Sequence, residues 1–161
     1  NPKTEEILPS CFDAANASQI ETAVEAAAGA FETFAATSFK TRIAFLKAIQ
    51  KEIKANSVEI LSAFQLESAL PEGRANGELQ RTLDQIERFV ELLEEGSFIQ
   101  ATLNTNGLDL RKMLYPIGPI VVFGASNFPL AFSTAVGDTI SALAAGCPVV
   151  VKAHPYHAGT S

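Results

Sequence analysis

The sequence has no tryptophan, one methionine and only two cysteines, Cys11 and Cys147, in 161 residues. The cysteines lie far apart and form neither a CxxC nor a metal-ligand spacing. That excludes a disulfide framework and suits a reducing compartment, so a cytoplasmic setting is expected. Basic residues are also scarce: 12 Lys and Arg stand against 18 Asp and Glu, a net charge of −6. No cluster of them forms an electrostatic footprint for nucleic acid or an anionic membrane, and neither partner is expected. The opening NPKTEEILPS lacks the charged-then-apolar order of a signal peptide.

Charge is scarcest late in the chain. Between Met113 and Val151 the only formally charged side chain is Asp138. An apolar run of roughly 20 residues can cross a bilayer. Here Gly124, Ser126, Asn127, Pro129, Gly137, Gly146 and Pro148 cut the run into pieces of strand and helix size. A buried βαβ core explains it better, because parallel strands covered on both faces read as unbroken apolar runs.

What is present in the first half is helical periodicity. Ser18-Gln19-Ile20-Glu21 has the S-x-x-E form of a capping box ahead of an Ala-rich helix over Thr22–Ala36. Ser38 can cap a second helix, on which Ile43, Leu46, Ile49 and Ile53 recur at steps of three and four. Asn56-Ser57 breaks it, a third helix covers Val58–Ala69, and Pro71-Glu72-Gly73 reads as a loop. A fourth helix, Glu78–Glu95, aligns Leu79, Leu83, Ile86, Phe89, Val90 and Leu93, and Gly96 ends it. Asn104-Thr105-Asn106-Gly107 then predicts a hairpin between Phe98–Leu103 and Leu108–Leu114. Ile117–Gly124 reads as a strand, Pro129–Ala145 as a helix, Gly146 as its left-handed cap and Pro148–Lys152 as a second strand. Together these make a right-handed βαβ unit, and the expected fold class is α/β. Two apolar parallel strands leave open edges, so the expectation is the front part of a larger α/β protein.

Chemistry concentrates at the corner in VVFGASNFPLAFS, Val121 to Ser133, where a strand ends. Open α/β sheets bind ligands at the carboxyl ends of their strands. There Asn127 has two readings: a neutral donor for a developing oxyanion, or a cap for the helix after Pro129. Gly124-Ala125-Ser126-Asn127-Phe128-Pro129 carries one glycine rather than the three of G-x-G-x-x-G, which argues against a standard dinucleotide turn. Lys152 at the end of the second strand can reach a ribose or phosphate, or snorkel at the sheet edge. His154 and His157 have metal-like spacing but no adjacent third ligand, so no metal is expected. Cys147, between Gly146 and Pro148, has no basic neighbour in sequence, and Cys11 lies in a frayed N-terminal segment, so both read as plain thiols.

These residues carry a family resemblance. PIGPIVVFGASNFPLAFSTAVGDTISALAAGCPVVVKAHPYHAGTS resembles the opening of the cofactor domain in the aldehyde dehydrogenase superfamily: a strand, an Asn-Phe-Pro-Leu corner, an Ala-Leu-Ala-Ala-Gly helix end and a strand ending in lysine. FGASNFPLAFS and VVVKAHP look most like the branch that oxidises 2,5-dioxopentanoate (α-ketoglutaric semialdehyde) and some fatty aldehydes. RIAFLKAIQKEI, LESALPEGRANGELQRTLDQIERFVELLEEG and LDLRKMLYPIGP resemble that branch too, so the likeness covers most of residues 20–161.

The resemblance implies a Rossmann-like NAD(P)-binding sheet opening at 116–161, preceded by a helical part at 1–97 and a hairpin that serves oligomerisation at 98–115. It implies that Asn127 donates to the oxyanion formed when a cysteine attacks an aldehyde. Phe123, Gly124, Ala125 and Ser126 would line the cofactor cleft. Lys152 would contact the adenosine ribose, with His154 and Pro155 beside it. Many NAD-preferring members carry a glutamate where this chain has Pro155, so NADP or NAD is the expected cofactor. The family's nucleophilic cysteine and base glutamate lie beyond position 161, and this chain alone is expected to be inactive. The complete protein is expected to be a homodimer or homotetramer acting on a small aldehyde. Two other readings stand beside this one: a non-catalytic module binding nucleotide or a partner through the hairpin, and a reductase of acyl phosphates on a related scaffold.

Overall fold

The computed structural model describes residues 1–135 and 137–161. Helix α1 (Ala17–Ala35) opens on Asn16, not on Ser18. Asn16 Oδ1 accepts from the Gln19 backbone at 3.0 Å and Gln19 Oε1 accepts from the Asn16 backbone at 2.9 Å. The reciprocal cap lies two residues before the S-x-x-E pattern because asparagine is as good a cap as serine and comes first. Ser38 caps α2 (Phe39–Ala55) as expected, accepting from Thr41 N–H at 3.1 Å. Helix α3 (Ser57–Ser68) follows directly after Asn56.

Helix α4 (Glu72–Glu95) begins six residues before the expected Glu78. The Pro71-Glu72-Gly73 signal is a helix entrance, since proline's fixed φ of −67° suits the cap position. The Pro71 carbonyl accepts from Arg74 and Ala75. Helix α4 ends at Gly96, as its sequence implies.

Helices α2 and α4 bury their apolar stripes against each other and against α5 (Asp138–Ala145). Leu46, Ile53, Leu83, Ile86, Val90, Leu93, Ile140 and Ala144 form this core. A second cluster joins Phe64 of α3 and Ala75 of α4 to Leu130, three residues past Asn127. Burying a side chain of this size contributes about 1.5–3 kcal/mol, so the corner segment is anchored in the helical half. Arg42 is buried as well. Its guanidinium donates to the carbonyls of Ala35, Ala144 and Ala145 at 2.8, 3.2 and 3.0 Å, joining the carboxyl ends of α1 and α5.

Strands β1 (Thr102–Asn104) and β2 (Leu110–Lys112) form the expected antiparallel hairpin, in register Thr102↔Lys112 to Asn104↔Leu110. It is shorter than the sequence suggests: residues 105–109 make a longer loop than a two-residue Asn-Gly turn, and Phe98 sits in a 3-10 turn, Ser97–Ile99. Strands β3 (Ile120–Phe123) and β4 (Val149–Lys152) pair in parallel, Ile120↔Val149 to Phe123↔Lys152. Helix α5 connects them, but it covers only the last half of the expected Pro129–Ala145 helix. Gly137, with φ 65° and ψ −112°, cannot continue a helix, and residues 129–135 form turns. Val136 of that expected helix lies outside the described residues. Among the described residues no helix is long and apolar enough to cross a membrane.

Candidate active site

The parallel register sets Phe123 beside Lys152 at the carboxyl rim of the sheet. Both are exposed. Gly124 N–H donates to the Lys152 carbonyl at 3.0 Å, carrying the pairing one step past the strand. A Cβ at Gly124 would sit 3.1 Å from Ser133 Oγ and 3.3 Å from the His154 backbone nitrogen. Three chain segments thus approach closely at Gly124, and a side chain there would press Ser133 and His154 outward by a few tenths of an ångström. Ala125 N–H donates to the Phe132 carbonyl at 2.9 Å, which folds the loop back on itself. Phe123, Gly124, Ala125, Lys152 and His154, named from the sequence, are brought together here.

Ser126 and Asn127 occupy the turn that follows, and both are exposed. The Asn127 side-chain amide makes no hydrogen bond among the described residues, while its main-chain carbonyl accepts from Arg74 at 3.2 Å. The capping alternative for Asn127 fails: α5 begins at Asp138 with Gly137 at its cap, and no helix starts at Pro129.

Pro155 is exposed and opens a 3-10 turn, Pro155–His157. His154 Nδ1 accepts from Tyr156 N–H at 3.2 Å, so the neutral ring carries its proton on Nε2. Partial desolvation, then His157, then Lys152 push the His154 pKa below its ordinary value. His157 is buried and stacks on His154 with ring centroids 5.2 Å apart. Its Nε2 lies 2.8 Å from the Ala125 carbonyl, and its Nδ1 has no partner among the described residues. The two histidines thus shape the rim by packing and by one ring hydrogen bond each. Cys147 is buried and Cys11 exposed, both as free thiols.

Three charged residues that matter here carried no sequence signal. Glu78, 3% exposed, accepts from the backbone N–H groups of Leu130 and Ala131 at 3.1 and 3.0 Å. Arg74, one turn earlier on α4, donates to Glu78 at 2.7 Å and lies 4.3 Å over the Phe128 ring. Glu67 accepts from the N–H groups of Gly159 and Thr160 and from the Thr160 hydroxyl, at 2.7, 2.7 and 2.6 Å. An Arg-Glu pair at i, i+4 on a helix is ordinarily a solvated one. Only tertiary contact distinguishes this one. A hollow of about 750 Å³ lies away from this rim, between Phe39 and Arg42 of α2, the segment Met113–Ile117, and Ala142 of α5.

Residues 1–161 match the aldehyde dehydrogenase family. The chain is 44% identical over 167 aligned positions to alpha-ketoglutaric semialdehyde dehydrogenase 2 of Azospirillum brasilense, covering 99% of this chain and 32% of that protein. It is 40% identical to alpha-ketoglutaric semialdehyde dehydrogenase of Acinetobacter baylyi, covering 93% of this chain and 30% of the relative. It therefore spans about a third of the length of these curated relatives. Among solved structures, aldehyde dehydrogenase 21 of Physcomitrella patens, in complex with the reaction product succinate, superposes with a TM-score of 0.76. The identity there is 27%, over 91% of this chain and 31% of that one. Methylmalonate-semialdehyde dehydrogenase of Oceanimonas doudoroffii shares the fold at a TM-score of 0.80 and 21% identity, over 92% of this chain and 30% of that one.

Proposed function

This chain belongs to the aldehyde dehydrogenase family, and from that premise we propose that it is the front part of an enzyme oxidising an acidic semialdehyde, such as 2,5-dioxopentanoate, to its carboxylate. The similarity to two semialdehyde dehydrogenases named for α-ketoglutaric semialdehyde supports this substrate class. Residues 1–97 and 116–161 contribute to the cofactor domain, and the hairpin within 98–115 to contacts between subunits. Leu103, Leu108 and Leu110 expose the apolar surface that such a contact would cover.

In this reading a cysteine thiolate from the rest of the polypeptide adds to the aldehyde carbon, and the carbonyl electron pair moves to oxygen. Asn127 donates its amide N–H to that oxygen. Collapse of the oxyanion expels a hydride and leaves a thioester, which a glutamate-activated water cleaves to the carboxylate and free thiol. NADP⁺ or NAD⁺ supplies the hydride acceptor when bound. With neither cysteine nor glutamate of that kind in residues 1–161, this chain alone is inactive.

The rim fits a dinucleotide carrying a 2′-phosphate. Lys152 offers an exposed ammonium at the end of β4, and Pro155 brings no carboxylate to repel the phosphate. Glu67, the carboxylate near this turn, is already engaged by three donors. In steady-state assays of the complete polypeptide, kcat/KM with NADP⁺ should equal or exceed that with NAD⁺. A strong preference for NAD⁺ would count against this assignment.

The observation that carries the catalytic reading is the Asn127 amide, exposed at the sheet's carboxyl rim on a clamped backbone and without a partner among the described residues. Asn127→Ala in the complete polypeptide, assayed with 2,5-dioxopentanoate and NADP⁺, should lower kcat roughly a hundredfold, about 3 kcal/mol of transition-state stabilisation. Unchanged turnover would remove Asn127 from the mechanism.

A further inference from the structure

We propose that Glu78 and Arg74 of α4 are positioning residues that hold the Asn127 amide at its working distance; this rests on the oxyanion reading of Asn127. The pair grips the corner from both sides. Arg74 donates to the carbonyl of Asn127 itself at 3.2 Å and covers the Phe128 ring at 4.3 Å. Glu78 accepts the N–H groups of Leu130 and Ala131 at 3.1 and 3.0 Å, while Arg74 holds its other oxygen at 2.7 Å. Pro129, between the two grips, has no N–H of its own.

A buried carboxylate is costly unless every oxygen is engaged. Glu78 meets that condition only with the corner in its observed place, so displacement of the loop would strand both the carboxylate and two backbone donors. The Asn127 backbone is thereby fixed while its side chain points free of any protein partner among the described residues. An oxyanion donor needs this combination, since its worth depends on being in place before charge develops. Misplacement by about 1 Å in a reacting site can cost on the order of a hundredfold in rate.

The test is a double-mutant cycle on kcat in the complete polypeptide, with NADP⁺ and 2,5-dioxopentanoate. Glu78→Gln should lower kcat about tenfold with little change in the KM for NADP⁺, and should have no further effect, within about twofold, once Asn127→Ala is present. Arg74→Gln, at a side chain 39% exposed, should behave the same way with a smaller loss. It carries the cycle alone if Glu78→Gln fails to fold. An equal loss in both backgrounds, or no loss from either variant while Asn127→Ala is impaired, would overturn the positioning role and leave the oxyanion reading standing. Full activity of Asn127→Ala would overturn both.

Discussion

Between α2, α4 and α5, Leu46, Ile86 and Ile140 have no solvent exposure, whereas on the strand rim Phe123 is 72% exposed and Val121 51%. The helical layer is held by apolar burial, which is strong but non-directional. Beyond the buried Leu130, the rim is held by directional polar bonds reaching out of that layer: Glu78 to Leu130 and Ala131, Arg74 to Asn127, and Glu67 to Gly159 and Thr160. Side chains of the first region therefore set whether the chain folds. Those of the second set where the corner carrying Asn127 stands.

The sharpest test of this contrast is Leu46→Ala in the complete polypeptide, which should lower unfolding stability by about 2–5 kcal/mol, read from the denaturant midpoint, while the folded fraction keeps its kcat. Asn127→Ala should do the reverse. Its stability should stay within about 0.5 kcal/mol of the parent while its turnover collapses. Equal destabilisation by the two variants would erase the distinction between layers.

Gly124→Ala lies between them, because its Cβ presses on Ser133 and His154 at 3.1 and 3.3 Å. It should cost about 1–3 kcal/mol and raise the KM for the cofactor, since strain there moves the strand end itself. Leu110→Lys on the exposed hairpin should change the protomer's own stability by no more than about 0.5 kcal/mol. Any larger effect, seen as a concentration-dependent midpoint, would come from lost contacts between copies.

The smallest effect concerns pH. His154 titrates below its ordinary 6.5 in the folded chain, so the unfolded chain takes up the proton first. The stability contributed by neutral His154 is complete above 6.5 and is lost as pH falls through the folded value. An NMR titration should place the His154 midpoint below 6.5, and Lys152→Gln should raise it by removing one of the opposing charges. A midpoint at or above 6.5 would show that the rim does not press on this ring.

Much of the helical half was legible because its signals are local. The steps of three and four along α2 and α4, the Ser38 cap and the terminal Gly96 and Gly146 each depend on neighbours within one helical turn. Failures came where two local signals competed. Asn16 preceded Ser18 as a cap, Pro71 opened a helix where Pro71-Glu72-Gly73 read as a loop, and Gly137 cut a helix that the apolar pattern would have let run from Pro129. The corner was legible as a place and not as a geometry. Asn127 at a strand end pointed to chemistry, but capping and donation looked alike until α5 proved to begin at Asp138.

Composition and periodicity by themselves determined that this chain has an acidic, helix-rich first half and an α/β turn with an amide at its corner. The likeness of those motifs extended that to a family. The tertiary structure alone decided which charges bind the rim. Glu67, Arg74 and Glu78 are indistinguishable in sequence from the solvated Glu and Arg residues around them. Their partners lie more than fifty residues away along the chain in every bond that reaches the rim. Helices follow from interactions over three or four residues, but a carboxylate acquires its role only when the fold closes a backbone donor onto it and removes the water that would otherwise have served.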